Sequence, residues 1–212
     1  MIGMKKGLFI TFEGPDGSGK TTVSKAVTEQ LQKEGYAVQY SREPGGSSIA
    51  EQIRSIILDV NNTDMDARTE ALLYAASRRQ HLVDKVLPAL EQGITVICDR
   101  FVDSSLAYQG CGRQLGMEDV MDINRFAIEG HMPDKTIFLD VDAQVGLDRI
   151  HANRTSLDRL DQESIDFHER VYNGYKAVIE KYADRMIIID ANKKPEEVIA
   201  SAYAAVKGLL DA

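Results

Sequence analysis

Gly14-Pro15-Asp16-Gly17-Ser18-Gly19-Lys20-Thr21, set just after the apolar run at residues 8–12, decides how this chain reads. It satisfies G-x-x-x-x-G-K-[ST], the pattern of a loop that wraps phosphate groups. Gly14, Gly17 and Gly19 let the backbone curl so that successive N–H groups turn inward as an anion nest. A helix expected from about Lys20 adds the positive end of its dipole. In such a loop residues 14–21 hold the nucleotide phosphates, Lys20 reaches the β/γ-phosphates and the Thr21 hydroxyl ligates Mg²⁺.

Outward from the loop, short apolar runs recur at residues 37–40, 94–98, 136–141 and 186–189. Several show no in/out alternation, as expected of strands covered on both faces. Between them lie helical patterns. One spans residues 67–90; another carries Val171, Tyr175, Val178, Ile179 and Tyr182 on one stripe. The alternation predicts an α/β three-layer sandwich with a five-stranded parallel sheet, of the P-loop NTPase type. With 212 residues, five prolines and no repeat or linker, the chain reads as a single domain over 1–212.

Composition narrows the function. Lys+Arg 25 against Asp+Glu 33 gives a net charge of −8, unsuited to coating nucleic acid, so phosphate chemistry must rest on locally placed cations. No run reaches the length of a membrane span, and Cys98 and Cys111 stand outside any CxxC or Cys/His cluster, so a cytoplasmic protein with free thiols is expected. His81, His131, His151 and His168 have no metal-like or triad-like spacing.

Asp99 ends the run at 94–98 and suits the second carboxylate of a metal site. Arg100 follows it where water-splitting ATPases commonly carry a second acid, and a cation there favours an anionic substrate. Guanine selection by N-K-x-D is missing, since Asn192-Lys193-Lys194-Pro195 ends in proline. A small-molecule phosphotransferase is therefore the leading class. Arg42-Glu43-Pro44-Gly45-Gly46, Arg54, and Tyr74 with Arg78 on one helical face supply cations and an aromatic where open α/β sheets bind ligands.

These words, with Thr69-Glu70-Ala71-Leu72-Leu73-Tyr74-Ala75-Ala76-Ser77-Arg78, the string from Asp99 to Gln109, Pro133-Asp134 and the segment at 154–161, occur in an order that resembles the bacterial thymidylate kinases. The resemblance covers almost the whole chain. It implies transfer of the ATP γ-phosphoryl to dTMP, with Mg²⁺, by a homodimer. Asp16 would bond the sugar 3′-hydroxyl, and Arg42, Arg54 and Arg100 would surround the acceptor phosphate. Tyr74 would stack on the base, Arg78 would donate to thymine O4, and Ser105 and Gln109 would complete base recognition. Tyr108 would lie beneath the sugar and favour deoxyribose. A mobile lid at about residues 149–161 would bring a transition-state arginine, with Arg154 at the matching position and Arg149 and Arg159 as further candidates. Lys20, Arg154, Asp16 and Arg100 are the expected catalytic set. Two readings stay open beside it: a deoxynucleoside kinase, which would need a carboxylate base, and a nucleotide-binding regulatory module without transfer.

Overall fold

The computed structural model describes residues 6–153 and 158–212. Five parallel strands form one sheet in the order β2-β3-β1-β4-β5, with β1 Phe9–Glu13, β2 Val38–Arg42, β3 Thr95–Asp99, β4 Lys135–Asp140 and β5 Met186–Asp190. Each lies within a residue or two of a predicted run. The first crossover passes over β3 to reach β2 on one side, and the later ones build β4 and β5 on the other. β1 therefore sits where the winding reverses, which opens a crevice at the carboxyl ends of the strands.

Helices cover both faces. On one, α1 (Lys20–Lys33) and α9 (Pro195–Leu210) lay Val23, Val27, Leu31, Val198, Ala202 and Val206 over Ile10, Phe12, Ile97, Ile137 and Leu139. At about 1.5–3 kcal/mol for each buried side chain of this kind, the contact fixes the helix that follows the glycine loop. On the other face, Phe9, Val96 and Cys98 pack under α5 (Val102–Ser105) and α6 (Met117–Ile128). There Phe101 meets Phe9 edge-on, ring centroids 4.9 Å apart. α8 (Ile165–Lys181) begins at Ser164, whose side chain accepts from Phe167 N, and buries Phe167, Val171, Tyr175 and Val178 as one stripe. Cys98 and Cys111 are free thiols. Among the described residues no helix is long and apolar enough to cross a membrane.

α2 (Ser48–Leu58) follows β2, and α3 (Ala67–His81) starts at Asp66, whose carboxylate accepts from Arg68 N and Thr69 N. The single helix expected over 67–90 runs from α3 through a π turn at Leu82–Val86 into α4 (Leu87–Glu91). The reason is Pro88, which has no N–H to donate back and whose ring would crowd a preceding carbonyl, so the ladder widens just before it.

Of the segment expected as a lid, 149–161, the structure describes the two ends. Its first residues finish α7 (Ala143–Asn153), which packs Ala143, Leu147 and Ile150 inward. Its last four, 158–161, fold into a turn with Arg159 and Leu160 buried. Arg154 lies outside the described residues. α7 also touches the glycine loop: a Cβ added at Gly146 would sit 2.3 Å from Asp16 O, and one at Gly17, where φ is +75°, 2.0 Å from Gly146 O. Gly146→Ala should therefore lower stability by about 1–3 kcal/mol through overpacking. The denaturant midpoint reads this directly, and an unchanged midpoint would show that loop and helix are not in fixed contact.

Candidate active site

Strand register sets the floor of the site. Phe12 pairs with Asp99 across β1 and β3, and Arg42 pairs with Asp99 across β2 and β3, so three strand ends finish abreast. Above them opens a cavity of about 820 Å³, large enough for more than one small ligand. The loop after β1, the corner after β3 and the segments after β2 and β5 all line it.

The loop encloses an anion-sized hollow. Gly14, Gly17 and Gly19 take φ of 147°, 75° and 88°, conformations that L side chains rarely adopt, and Gly19 caps α1 in the left-handed region. Lys20 is buried, with Nζ donating to Pro15 O at 2.8 Å and to Ser18 Oγ at 3.3 Å. Burial, with Arg100 nearby, lowers its pKa to about 8, although Asp16, Asp99 and Glu13 act to raise it. An arriving polyanion would replace those weak partners and favour the charged form. Thr21 Oγ1 donates to Asp99 Oδ2, so a hydroxyl and a carboxylate meet beside the loop. An oxygen-only pair of this kind fits a hard divalent cation that keeps several waters.

Against the loop stands Arg100. Its φ of 69° is uncommon outside glycine. Two contacts from β1 hold the corner: Arg100 N donates to Phe12 O at 2.9 Å, and Phe101 N to Glu13 Oε1 at 2.7 Å. Its guanidinium donates to Asp16 Oδ1, to Ser104 Oγ at 3.0 Å and to the hydroxyls of Tyr175 and Tyr108, both at 3.2 Å. It also lies over the Tyr108 ring, 4.9 Å from the centroid. Asp16 accepts a second bond from Tyr108 Oη at 2.6 Å. Burial alone would raise the Asp16 carboxyl, but Arg100, Lys20 and the Tyr108 hydroxyl hold it down at about 2.

Arg42, Arg54, Tyr74, Tyr108 and Gln109 join Asp16, Asp99 and Arg100 on the cavity wall. Arg42 pairs with Glu51 at 2.9 Å, both half-exposed, and Arg54 donates to Pro44 O at 2.9 Å. Pro44 follows a cis peptide bond. Lys193, Pro195 and Arg149 line the same cavity.

Arg78 and Ser105 are not on this wall. Arg78 is fully buried and donates to Glu43 Oε2 at 2.7 Å, Ser105 Oγ at 3.0 Å, Asn124 Oδ1 and Phe101 O at 3.0 Å. Glu43 Oε1 meets His81 Nδ1 at 2.8 Å, and His81 Nε2 meets Ser41. These bonds, all to residues distant in sequence, stitch α3 to the segment after β2, the corner after β3 and α6. Arg159, a candidate lid arginine, is also committed, through Nε to Ile57 O at 2.9 Å and through Nη2 to Glu70.

Sequence reasoning missed Glu13, Glu43, Glu70, Ser104 and Tyr175. Glu13 accepts from Phe101 N, Ser104 Oγ at 2.6 Å and Tyr175 Oη at 3.1 Å. Burial, with Asp103 nearby, raises its pKa to about 7, against the pull of Ser104 and Arg100. A signal existed: an acid that ends an apolar strand must find partners when buried.

With this geometry in place, the fold and site define a P-loop phosphotransferase, with a backbone cradle and guanidinium groups lining one cavity. Residues 12–202 match the family described as thymidylate kinase. Thymidylate kinase of Halalkalibacterium halodurans is 57% identical over 205 residues, covering 96% of this chain and 98% of that one. That of Enterococcus faecalis is 57% identical over 203 residues, covering 95% and 96%. A crystal structure of thymidylate kinase from Ehrlichia chaffeensis superposes with a TM-score of 0.76 at 32% identity, covering 95% of this chain and 99% of that one. The chain belongs to the thymidylate kinase family and is an ATP-dependent nucleoside monophosphate kinase.

Two outcomes follow from the buried groups. Arg78→Ala would strand the Glu43 carboxylate inside and should cost about 3–5 kcal/mol of stability, measured by denaturant unfolding. A variant as stable as the wild type would show that the network around Arg78 adds nothing to folding. Glu13 holds its proton in the folded state to about pH 7, whereas an unfolded glutamate releases it near 4.5. The native state binds more protons in that window, so this group makes stability fall as pH rises from 4.5 to 7. Glu13→Gln keeps the hydrogen-bonding shape, because its hydroxyl partners can accept as well as donate, and should remove that slope. Parallel pH profiles for both proteins would refute the buried, protonated Glu13.

Proposed function

We propose that this enzyme transfers the γ-phosphoryl of ATP to dTMP, giving ADP and dTDP. The reading is carried by one observation: the glycine loop with its main-chain amides and the guanidinium groups of Arg42, Arg54 and Arg100 line one cavity. Two polyphosphate or phosphate ends can meet there in line, and positioning of this kind supplies much of the catalysis in phosphoryl transfer. ATP lies with its phosphates in residues 14–21, where Lys20 and the amides at the start of α1 neutralise them. Mg²⁺ held by Thr21 and Asp99 would neutralise charge on the β- and γ-oxygens. The acceptor phosphate sits against Arg42, Arg54 and Arg100. Its oxygen is already anionic near neutral pH, so no strong general base is required.

Asp16, kept ionised, accepts from the sugar 3′-hydroxyl. Tyr108 packs close enough below to exclude a 2′-hydroxyl, and Tyr74 offers its ring to the base with Gln109 at the edge. Arg78, with Ser105 at its Nη1, reaches from behind the lining residues to the thymine O4 edge. The transition-state arginine is assigned to Arg154 by position in the family pattern, and the bonds of Arg159 to Ile57 O and Glu70 favour that assignment over Arg159. The enzyme works as a cytoplasmic homodimer. A deoxynucleoside kinase is disfavoured because its neutral hydroxyl acceptor would gain nothing from three guanidiniums.

The test is ADP release with dTMP, with thymidine, or with neither. Turnover is expected with dTMP alone. Turnover with thymidine would mean that the arginine cluster does not bind an acceptor phosphate, and equal release in all three would mean that no acceptor site operates.

A further inference from the structure

Gln109 lies in the π turn at Leu106–Gly112 and reaches the cavity wall with only 1% of its surface exposed. Its Nε2 donates to Glu70 Oε1 at 2.9 Å. Glu70 is fully buried on α3, one turn before Tyr74. It also takes Arg113 Nε at 3.2 Å on each oxygen, Arg113 Nη2 at 3.0 Å on Oε2, and Arg159 Nη2 on the same oxygen. Burial pushes this carboxyl up, but the Arg113 bonds and ion pair, with help from Gln109 and Arg159, hold it below its ordinary value.

An ionised carboxylate can only accept hydrogen bonds. The Gln109 carboxamide must therefore show Glu70 its NH₂ group, because turning over would press oxygen against oxygen. The carbonyl Oε1 is left facing the other way. It accepts from no described residue, and it is not among the buried polar atoms that lack a partner.

We propose that Glu70 is a positioning residue that locks Gln109 as a hydrogen-bond acceptor toward the nucleobase. A pyrimidine with an N3–H, such as thymine or uracil, can donate to that oxygen. Cytosine presents a lone pair at N3 and meets an acceptor it cannot bond. Specificity of this kind is strong because the wrong base leaves a buried polar group unpaired. The device reads the N3 proton and is blind to the 5-methyl group. It rests on the dTMP reading above and explains how the buried ion network beneath the site contributes to it.

The experiment measures kcat/KM for dTMP, dUMP and dCMP in wild type, Glu70→Gln and Gln109→Leu. In Glu70→Gln the new amide can offer either a donor or an acceptor, so Gln109 is free to turn over. The dTMP-to-dCMP ratio should then fall by about tenfold or more, while the dTMP-to-dUMP ratio stays within about twofold. Gln109→Leu leaves Glu70 and both arginines in place, covering the case where Glu70→Gln folds poorly. It should also collapse the dTMP-to-dCMP ratio, with a raised KM for dTMP. An unchanged dTMP-to-dCMP ratio in an enzyme that remains active on dTMP would overturn the lock alone. A wild-type enzyme that phosphorylates no pyrimidine monophosphate would overturn the acceptor reading and the lock together.

Discussion

The contact between Arg100 and Asp16 joins the two halves of the catalytic cavity. One residue belongs to the phosphate-wrapping loop after β1 and the other to the corner after β3, and the pair forms because those strands are neighbours in a parallel sheet. The corner holds a non-glycine residue in the left-handed region, which costs on the order of 1–3 kcal/mol and persists only when its surroundings over-determine it. Phe12 O and the Glu13 carboxylate supply that constraint from β1 itself. The glycine loop and the Arg100 guanidinium are therefore positioned by one strand, and their separation does not depend on a flexible linker.

Below this contact the site is built on buried ions that have few degrees of freedom. Glu43 with Arg78, Glu70 with Arg113 and Arg159, and Asp103 with Arg185 each pair one acid with guanidinium groups from distant parts of the chain. Such groups add little net stability compared with well-packed apolar residues, because desolvation offsets much of the attraction. Their cost is justified by direction: each holds a backbone turn or a polar tip at one orientation. Arg78 does so for the corner after β3, and Glu70 for the amide of Gln109.

What was legible in the sequence follows the range of the interaction. The glycine loop announces itself because its demands are local, and so do the strands, since apolar runs without alternation need cover on both faces. Tyr74 and Arg78 were placed correctly on one helical face, yet helical spacing could not show that Arg78 finds Glu43 thirty-five positions away and turns inward. The same blindness affects Arg159, which reads as a mobile charge and is buried against Glu70 eighty-nine positions earlier. Glu70 lies on the face of Tyr74 by the same spacing, but a lone acid on a helix resembles a surface charge until its partners are known. Three arginines in a polar stretch suggested a lid over 149–161. At its described ends Ile150 belongs to α7 and Leu160 to a turn, and both are buried and line the cavity.

The central claim is that two phosphate-bearing nucleotides meet end to end across the Asp16–Arg100 contact. The most direct measurement is a crystal structure with adenosine and thymidine joined through a bridging polyphosphate. The account predicts the adenosine phosphates in the loop at 14–21, and the thymidine sugar against Asp16 and Tyr108 with its phosphate on Arg42, Arg54 and Arg100. A thymidine end displaced into solvent, with the arginine cluster still paired to Glu51 and Asp16, would contradict it.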